Sequence, residues 1–199
     1  MRFLEDVRPF KAELRYRFRE KRKAMPPEEK TQLDQKIANR FMNLWQFRET
    51  QTLLTYVSTA IEVDTRYIIG EALKLGKTVA VPRCIPGTRE MDFYIIKSFS
   101  DLKSGAFGVL EPDKGVCKKL TDLSSGLCIV PALVFDKFGY RLGYGKGYYD
   151  RFLARFKGSA VGLCYSECVI DELPHGKYDR ATQLLITERH VINPEDLNT

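Results

Sequence analysis

The sequence predicts an α/β protein of three layers, in which helices cover both faces of a mostly parallel central sheet. Short β-prone apolar runs alternate with helical segments after residue 51. The apolar run GLCIVPALVFD, at 126–136, barely alternates with polar residues. Strands that alternate with helices are typical of parallel sheets, and a strand that is apolar throughout is buried on both faces.

Two helices are predicted before the first strand. Residues 7–24 are rich in helix formers, and Phe10, Leu14 and Phe18 recur at every fourth position as an apolar stripe. A second helix follows the MPP at 25–27, and its apolar side carries Leu33, Ile37, Phe41, Leu44 and Trp45. Packing alone accounts for both stripes.

Strands and helices then follow in turn. The predicted strands are 52–58, 77–83, 91–97, one within 126–136, 159–166 and, as the last, 183–188. Asp64 or Thr65 caps a helix that ends on Gly76. SFSDLKSG at 98–105 forms a short helix or turn, and YYDRFLARF at 148–156 forms a helix. The chain has no internal repeat and no clear boundary, so residues 1–199 are expected to form a single domain.

Composition and charge restrict the class of protein. The chain has 199 residues, a formal net charge of +6 and a pI of about 9.0. This balance favours anionic partners, although it also serves solubility. Five cysteines form no CxxC pair and only two histidines are present, which argues against a zinc site. Because the start lacks a signal peptide and no stretch is long enough to span a membrane, we expect a reduced, cytoplasmic monomer without membrane association.

The stretch RLGYGKGYYD, at 141–150, is the strongest candidate for a ligand-binding loop. Gly143, Gly145 and Gly147 remove every second side chain, so that backbone N–H groups can point together at an anion. The helix that follows adds the donors of its N-terminus. Arg141 and Lys146 supply full positive charges. The stretch follows a buried strand, where ligands bind in parallel sheets, and it suits a polyphosphate.

The spacing of these glycines leaves another interpretation open. It matches neither the Walker loop GxxxxGK[ST] nor the dinucleotide motif GxGxxG. The stretch could be a turn before a helix whose Tyr148, Tyr149 and Phe152 only pack.

Several short motifs, in order along the chain, carry a family resemblance. VPALVFDKFGYRLGYGKGYYDRFL resembles the signature of the 5-formyltetrahydrofolate cyclo-ligase (5,10-methenyltetrahydrofolate synthetase) family. KAELR at 11–15, EVDT at 62–65, VPR at 81–83, MDF at 91–93 and GVLEP at 108–112 also resemble family motifs. Such a series is far more specific than any one motif.

The resemblance implies a reaction and a fold. The family is expected to use ATP and Mg²⁺ to convert 5-formyltetrahydrofolate to 5,10-methenyltetrahydrofolate, releasing ADP and phosphate. It places this chain in one-carbon folate metabolism, with a sheet topology like that of the sugar-isomerase and CoA-transferase proteins. Phosphorylation of the formyl oxygen gives an imino-phosphate, and N10 then attacks the activated carbon. The protein mainly positions groups and neutralises charge, so no side-chain nucleophile is needed.

The resemblance also implies roles for individual residues. ATP-binding roles fall on Lys11, Arg15, Arg141, Leu142, Gly143, Tyr144, Gly145, Lys146, Gly147, Tyr148 and Tyr149. Substrate-binding roles fall on Val57, Glu62, Tyr144, Gly145, Lys146, Gly147 and Tyr148. Asp150 and Asp179 are the implied magnesium ligands, and Arg141, Lys146 and Tyr148 the implied catalytic residues.

Each role has a structural alternative. Lys11 and Arg15 would suit a solvated basic helix. Glu62 could be an acidic residue at the start of a helix, where the helix dipole favours negative charge. Val57 could be plain core, and Asp179 an ordinary loop residue.

Two departures from the family pattern bear on activity. Tyr144 stands where many relatives carry arginine, and Ala132 where glycine is usual. The first puts ATP affinity and rate in question, so a relative with altered folate activity remains an alternative. The second alternative is a basic nucleic-acid-binding protein. Because no RRM or KH signature is present, we expect no nucleic-acid partner.

Overall fold

The computed structural model describes residues 7–105 and 108–197. Its α-helices are α1 (Arg8–Lys23), α2 (Pro27–Asn43), α3 (Trp45–Glu49), α4 (Arg66–Lys74) and α5 (Tyr148–Arg155). Both N-terminal helices have a proline within their first two positions, where the absent N–H costs no hydrogen bond. The predicted helices over 7–24 and 148–156 and the one that ends near Gly76 are confirmed.

The second predicted helix is shorter than its apolar stripe indicated. It ends at Asn43 because Leu44 adopts an extended backbone with ψ 137°, and Trp45 then begins the separate helix α3. Trp45 is 68% exposed, while Phe47 is buried, so the expected burial of Trp45 is wrong. Phe10 is also exposed, so the apolar stripe of α1 begins at Leu14.

The central sheet has eight strands: β1 (Thr52–Thr55), β2 (Thr78–Cys84), β3 (Met91–Ile96), β6 (Lys118–Lys119), β7 (Leu127–Val130), β10 (Ser159–Leu163), β12 (Leu184–Ile186) and β13 (Val191–Ile192). Their order in the sheet is β13-β12-β10-β7-β1-β2-β3-β6. The five strands from β12 to β2 pair in parallel, and the outer pairings are antiparallel. The mostly parallel sheet is therefore confirmed.

The direction of the crossovers explains the three layers. The connection from β1 through α4 to β2 and the connection from β7 through α5 to β10 move in opposite directions along the sheet. Because parallel crossovers are right-handed, α4 and α5 cover opposite faces. Helix α2 packs against α4 and lies on the same face.

The apolar run at 126–136 divides into two strands. The chain leaves the central sheet after β7, and β8 (Val134–Asp136) joins a small sheet with β9 (Arg141–Leu142) and β11 (Val169–Ile170). The ring of Phe135 then lies directly on the backbone of Gly162 in β10, where an added Cβ would be 2.5 Å from Phe135 Cε1. The small sheet therefore packs on the central one.

Short strands account for the other differences from prediction. Strand β13 follows β12 at the edge of the sheet, so 183–188 does not contain the last strand. The segment at 98–105 contains a single 3₁₀ turn, as expected, followed by β4 (Leu102–Ser104), which pairs with β5 (Leu110–Pro112). None of the helices described is long and apolar enough to cross a bilayer.

Helix α1 crosses the carboxyl ends of the central strands. The buried guanidinium of Arg22 donates to the carbonyl oxygens of Ile61 and Leu133, at 3.2 and 3.0 Å, and Nη2 lies 3.6 Å from Cys164 Sγ. These three partners follow β1, β7 and β10. Arg22 thus holds α1 across the edge of the sheet where ligands of parallel α/β folds bind.

Candidate active site

Three cations of α1 face the carboxyl edge of the sheet. Lys11, Arg15 and Arg19 are spaced by four residues and lie on one side of the helix. Lys11 Nζ lies 3.2 Å from Asp179 Oδ2, and Arg15 Nε donates to the Gly143 carbonyl at 2.9 Å. Arg19 Cζ lies 5.8 Å from the centre of the Tyr144 ring. The helix therefore contacts the glycine-rich stretch through two of its turns.

The glycine-rich stretch forms a loop, residues 143–147, that leads into α5. Gly145 and Gly147 adopt positive φ angles of 93° and 71°, and Gly147 is the N-cap residue of α5. A Cβ on Gly145 would lie 3.3 Å from Arg15 Cζ, so the guanidinium rests on the loop backbone. Lys146 is exposed and forms no hydrogen bond or ion pair with any described residue. The loop thus presents a free ammonium beside the start of a helix.

Arg141 and Asp150 form a partly buried pair at the base of this loop. Arg141 Nη2 lies 2.7 Å from Asp150 Oδ1, and Nη1 donates to the Arg180 carbonyl at 2.5 Å. Asp150 Oδ1 also accepts from the Arg180 amide at 3.3 Å. The side chain of Arg141 is only 4% exposed. A predicted cation and a predicted metal ligand therefore neutralise each other here.

Asp179 directly precedes Arg180, whose backbone contacts both Arg141 and Asp150. Its Oδ2 accepts from Lys11 Nζ and, at 2.9 Å, from the Gly176 amide. The described residues contain no group of three or more carboxylate, histidine or cysteine side chains suited to a metal. Mg²⁺ commonly binds through one or two carboxylates together with substrate phosphates and water. Two aspartates are enough protein carboxylates for a Mg²⁺ ion whose remaining ligands are water or substrate oxygens.

Glu62 and Tyr144 meet on the other side of the loop. Glu62 is buried, and its Oε2 accepts from the amide and the hydroxyl of Thr59, at 2.8 and 2.9 Å. Burial raises the pKa of Tyr144, and the negative charge of Glu62 raises it further. The Tyr144 hydroxyl consequently stays protonated beside a carboxylate, while its ring lies under Arg19.

The remaining predicted residues divide between the loop and the core. Tyr148 donates to the Thr88 carbonyl at 3.4 Å, in the turn between β2 and β3. Tyr149 has a buried hydroxyl with no partner among the described residues, and burial raises its pKa well above the usual value. Leu142 and Val57 are buried in the hydrophobic core.

Three further residues at the site carried no role in the sequence prediction. Arg19 continues the four-residue spacing of Lys11 and Arg15, so this periodicity was a usable signal. The Tyr165 hydroxyl donates to Asp34 Oδ1 at 2.7 Å and lies 3.4 Å from the Glu62 carbonyl. Asp34 and Tyr165 are 131 residues apart in the chain, and no local pattern links them.

Comparison with known proteins gives consistent matches. The profile of the 5-formyltetrahydrofolate cyclo-ligase family matches residues 7–188. The 5-formyltetrahydrofolate cyclo-ligase of Escherichia coli K12 is 28% identical, over 87% of this chain and 97% of its own length. A probable 5-formyltetrahydrofolate cyclo-ligase of Schizosaccharomyces pombe is 34% identical, over 66% of this chain and 71% of its own.

Solved structures give the same result. The 5,10-methenyltetrahydrofolate synthetase of Aquifex aeolicus superposes with a TM-score of 0.82 at 35% identity, covering 94% of this chain and 93% of its own. The synthetase of Mycoplasma pneumoniae superposes with a TM-score of 0.71 at 25% identity, covering 89% and 98%.

Proposed function

This chain belongs to the 5-formyltetrahydrofolate cyclo-ligase family, and on that premise we propose that it converts 5-formyltetrahydrofolate to 5,10-methenyltetrahydrofolate with Mg·ATP, releasing ADP and phosphate. One observation carries the proposal. Through Tyr144 the glycine loop lies beside Glu62, and it also contacts Arg15 and Arg19 of α1, an arrangement that would suit a polyphosphate next to a pterin.

The chemistry needs a better electrophile than a formamide. The formyl oxygen attacks the γ-phosphorus, the bond to the β-phosphate oxygen breaks, and ADP leaves. N10 then forms a bond to the formyl carbon and gives up its proton, and the carbon–oxygen bond to phosphate breaks. Most of the catalysis required is alignment of the two substrates and neutralisation of phosphate charge.

Residues of this chain suit both tasks. Lys146 and Arg15, with the N–H groups at the start of α5, would hold the phosphates. The buried Glu62 accepts from Thr59 through Oε2, and its carboxylate could also accept from the N–H groups of the pterin. Tyr144 lies between these groups and would separate the nucleotide from the pterin.

Asp150 and Asp179 would hold Mg²⁺ together with the phosphates. In the structure each of them pairs with a cation, Arg141 and Lys11 respectively. Binding of the metal and nucleotide would let the carboxylates turn to the metal and the two cations to the phosphates. This exchange keeps every charge paired in both states. The metal itself would neutralise charge on the phosphates.

A spectrophotometric assay tests the proposal. Purified chain, 5-formyltetrahydrofolate and fresh Mg·ATP should together produce the absorbance of the methenyl product, and omission of ATP should abolish it. Lys146→Ala should lower turnover by roughly 10²-fold or more, because it removes an exposed, unpaired charge from the phosphate loop. Full activity of Lys146→Ala would refute this account of the loop while leaving the reaction itself intact.

A further inference from the structure

Two guanidinium groups one turn apart on α1 lie at the site without an ion-pair partner among the described residues. Arg15 and Arg19 are both half-buried, and neither forms an ion pair with a described carboxylate. Three lysines of the same helix are paired, Lys11 with Asp179, Lys21 with Glu167 and Lys23 with Glu20, whereas Arg17 lies exposed and Arg22 donates to backbone carbonyls. Like charges on adjacent turns repel each other. A bound anion would reduce this repulsion.

The pKa of Arg15 reports the same proximity. Burial lowers it, and the charge of Arg19 lowers it further, while Asp179 acts in the opposite direction with a smaller effect. The guanidinium remains charged, because an arginine pKa lies far above neutrality. An anion with several oxygens would relieve both the burial and the repulsion.

Tyr144 contacts Arg19. Its ring supports the guanidinium at 5.8 Å from ring centre to Arg19 Cζ, a cation–π distance. Its hydroxyl lies near Glu62 and Thr59. Arg15, one turn away, rests on Gly143 and Gly145. Arg19 therefore lies at the junction between the loop and Glu62.

We propose that Arg19 binds the terminal phosphoryl group of the nucleotide as it passes to the folate, and that Tyr144 positions it. The proposal rests on the function proposed above, which places the nucleotide at the loop and the pterin at Glu62. Arginine presents a planar fork of donors that matches phosphate oxygens. A guanidinium at the transferring group neutralises the charge that develops on its equatorial oxygens.

Binding and turnover of Arg19 variants test the proposal separately. Binding is measured by calorimetry, with inorganic tripolyphosphate and with a non-hydrolysable ATP analogue. Arg19→Ala should weaken the binding of both ligands by roughly tenfold and lower kcat by roughly 10²-fold or more. The affinities and kcat of Arg19→Lys should lie between those of the wild-type chain and those of Arg19→Ala. Arg17→Ala removes the same charge from the exposed side of α1 and should change each value by less than about twofold.

Variants of Tyr144 separate positioning from packing. Tyr144→Phe keeps the ring and should retain tripolyphosphate affinity. Tyr144→Leu removes the ring and should weaken tripolyphosphate binding as much as Arg19→Ala does. The double variant Arg19→Ala/Tyr144→Leu should then bind tripolyphosphate no more weakly than either single variant, because both changes remove the same interaction.

The outcomes distinguish this inference from the proposed function. Unchanged tripolyphosphate affinity and kcat in a folded Arg19→Ala chain overturns the inference. A loss of affinity confined to polyglutamylated folate would also overturn the inference, because the anion bound by Arg19 would then be a folate carboxylate. If the wild-type chain binds tripolyphosphate through Arg19 but makes no methenyl product, the proposed function fails and the phosphate contact stands.

Discussion

The three glycines of the loop should differ sharply in their tolerance of alanine. Gly145 and Gly147 adopt positive φ angles of 93° and 71°, whereas Gly143 does not. An L-residue in the left-handed region costs about 1–2 kcal/mol. We therefore expect Gly145→Ala and Gly147→Ala each to lower the free energy of unfolding by about 1–2 kcal/mol. Gly143→Ala should be neutral or stabilising by up to about 1 kcal/mol, because alanine restricts the unfolded chain.

The space around each glycine sharpens this expectation. A Cβ at Gly145 would lie 3.3 Å from Arg15 Cζ, so the guanidinium must shift, and at Gly147 it would lie 2.8 Å from Arg151 Nη1, an exposed side chain that can move. A Cβ at Gly143 meets no atom within 4 Å. Gly145→Ala should consequently also weaken tripolyphosphate binding. The affinity should fall by roughly 5–30-fold if the substitution costs the binding conformation of the loop about 1–2 kcal/mol.

Urea denaturation followed by circular dichroism measures the stability of all three variants, and calorimetry measures tripolyphosphate binding. Unfolding of Gly145→Ala and Gly143→Ala at the same urea concentration would contradict this expectation. So would a Gly143→Ala chain that is the least stable of the three.

Three more predictions concern residues around the site. Tyr149→Phe should raise the free energy of unfolding by about 1 kcal/mol, since the buried hydroxyl has no described partner; a loss of stability on urea denaturation would contradict this. Asp34→Ala should cost about 1–3 kcal/mol by leaving the buried Tyr165 hydroxyl only its long 3.4 Å contact with the Glu62 carbonyl, whereas Asp34→Asn keeps an acceptor and should cost less. Burial alone would raise the pKa of Glu188, but hydrogen bonds from the Ser166 hydroxyl and amide lower it overall. Glu188 should therefore stabilise the fold above its unfolded pKa and lose that contribution as the pH falls through its folded value, so Glu188→Gln should flatten the acid limb of a stability–pH curve.

Much of the fold could be predicted because local patterns determine it. The parallel strands are apolar runs between helices, and α5 follows a glycine that the structure uses as its N-cap. Tertiary packing decided the rest. Trp45 has the right spacing for burial, but the chain turns at Leu44, and Phe47 fills the core instead. The run at 126–136 looks like one strand because both of its halves are buried, in two different sheets.

The site was predictable to the extent that its residues are close in sequence. The loop glycines, Lys146 and Asp150 lie within one short motif. The pairing of Lys11 with Asp179 joins residues 168 apart, and only the fold brings them together. Tyr144 drew attention as a departure from the family pattern, but its contacts with Arg19 and with Glu62 depend on how α1 crosses the sheet.

The stoichiometry of two products in one reaction decides whether this chain is a cyclo-ligase. Wild-type chain, shown to be folded by circular dichroism, is mixed with 5-formyltetrahydrofolate and Mg·ATP, and methenyl absorbance and inorganic phosphate are recorded together. We predict that both rise in step, with one phosphate released for each methenyltetrahydrofolate formed. Phosphate release without methenyl product, or neither product from a folded chain, would contradict the account.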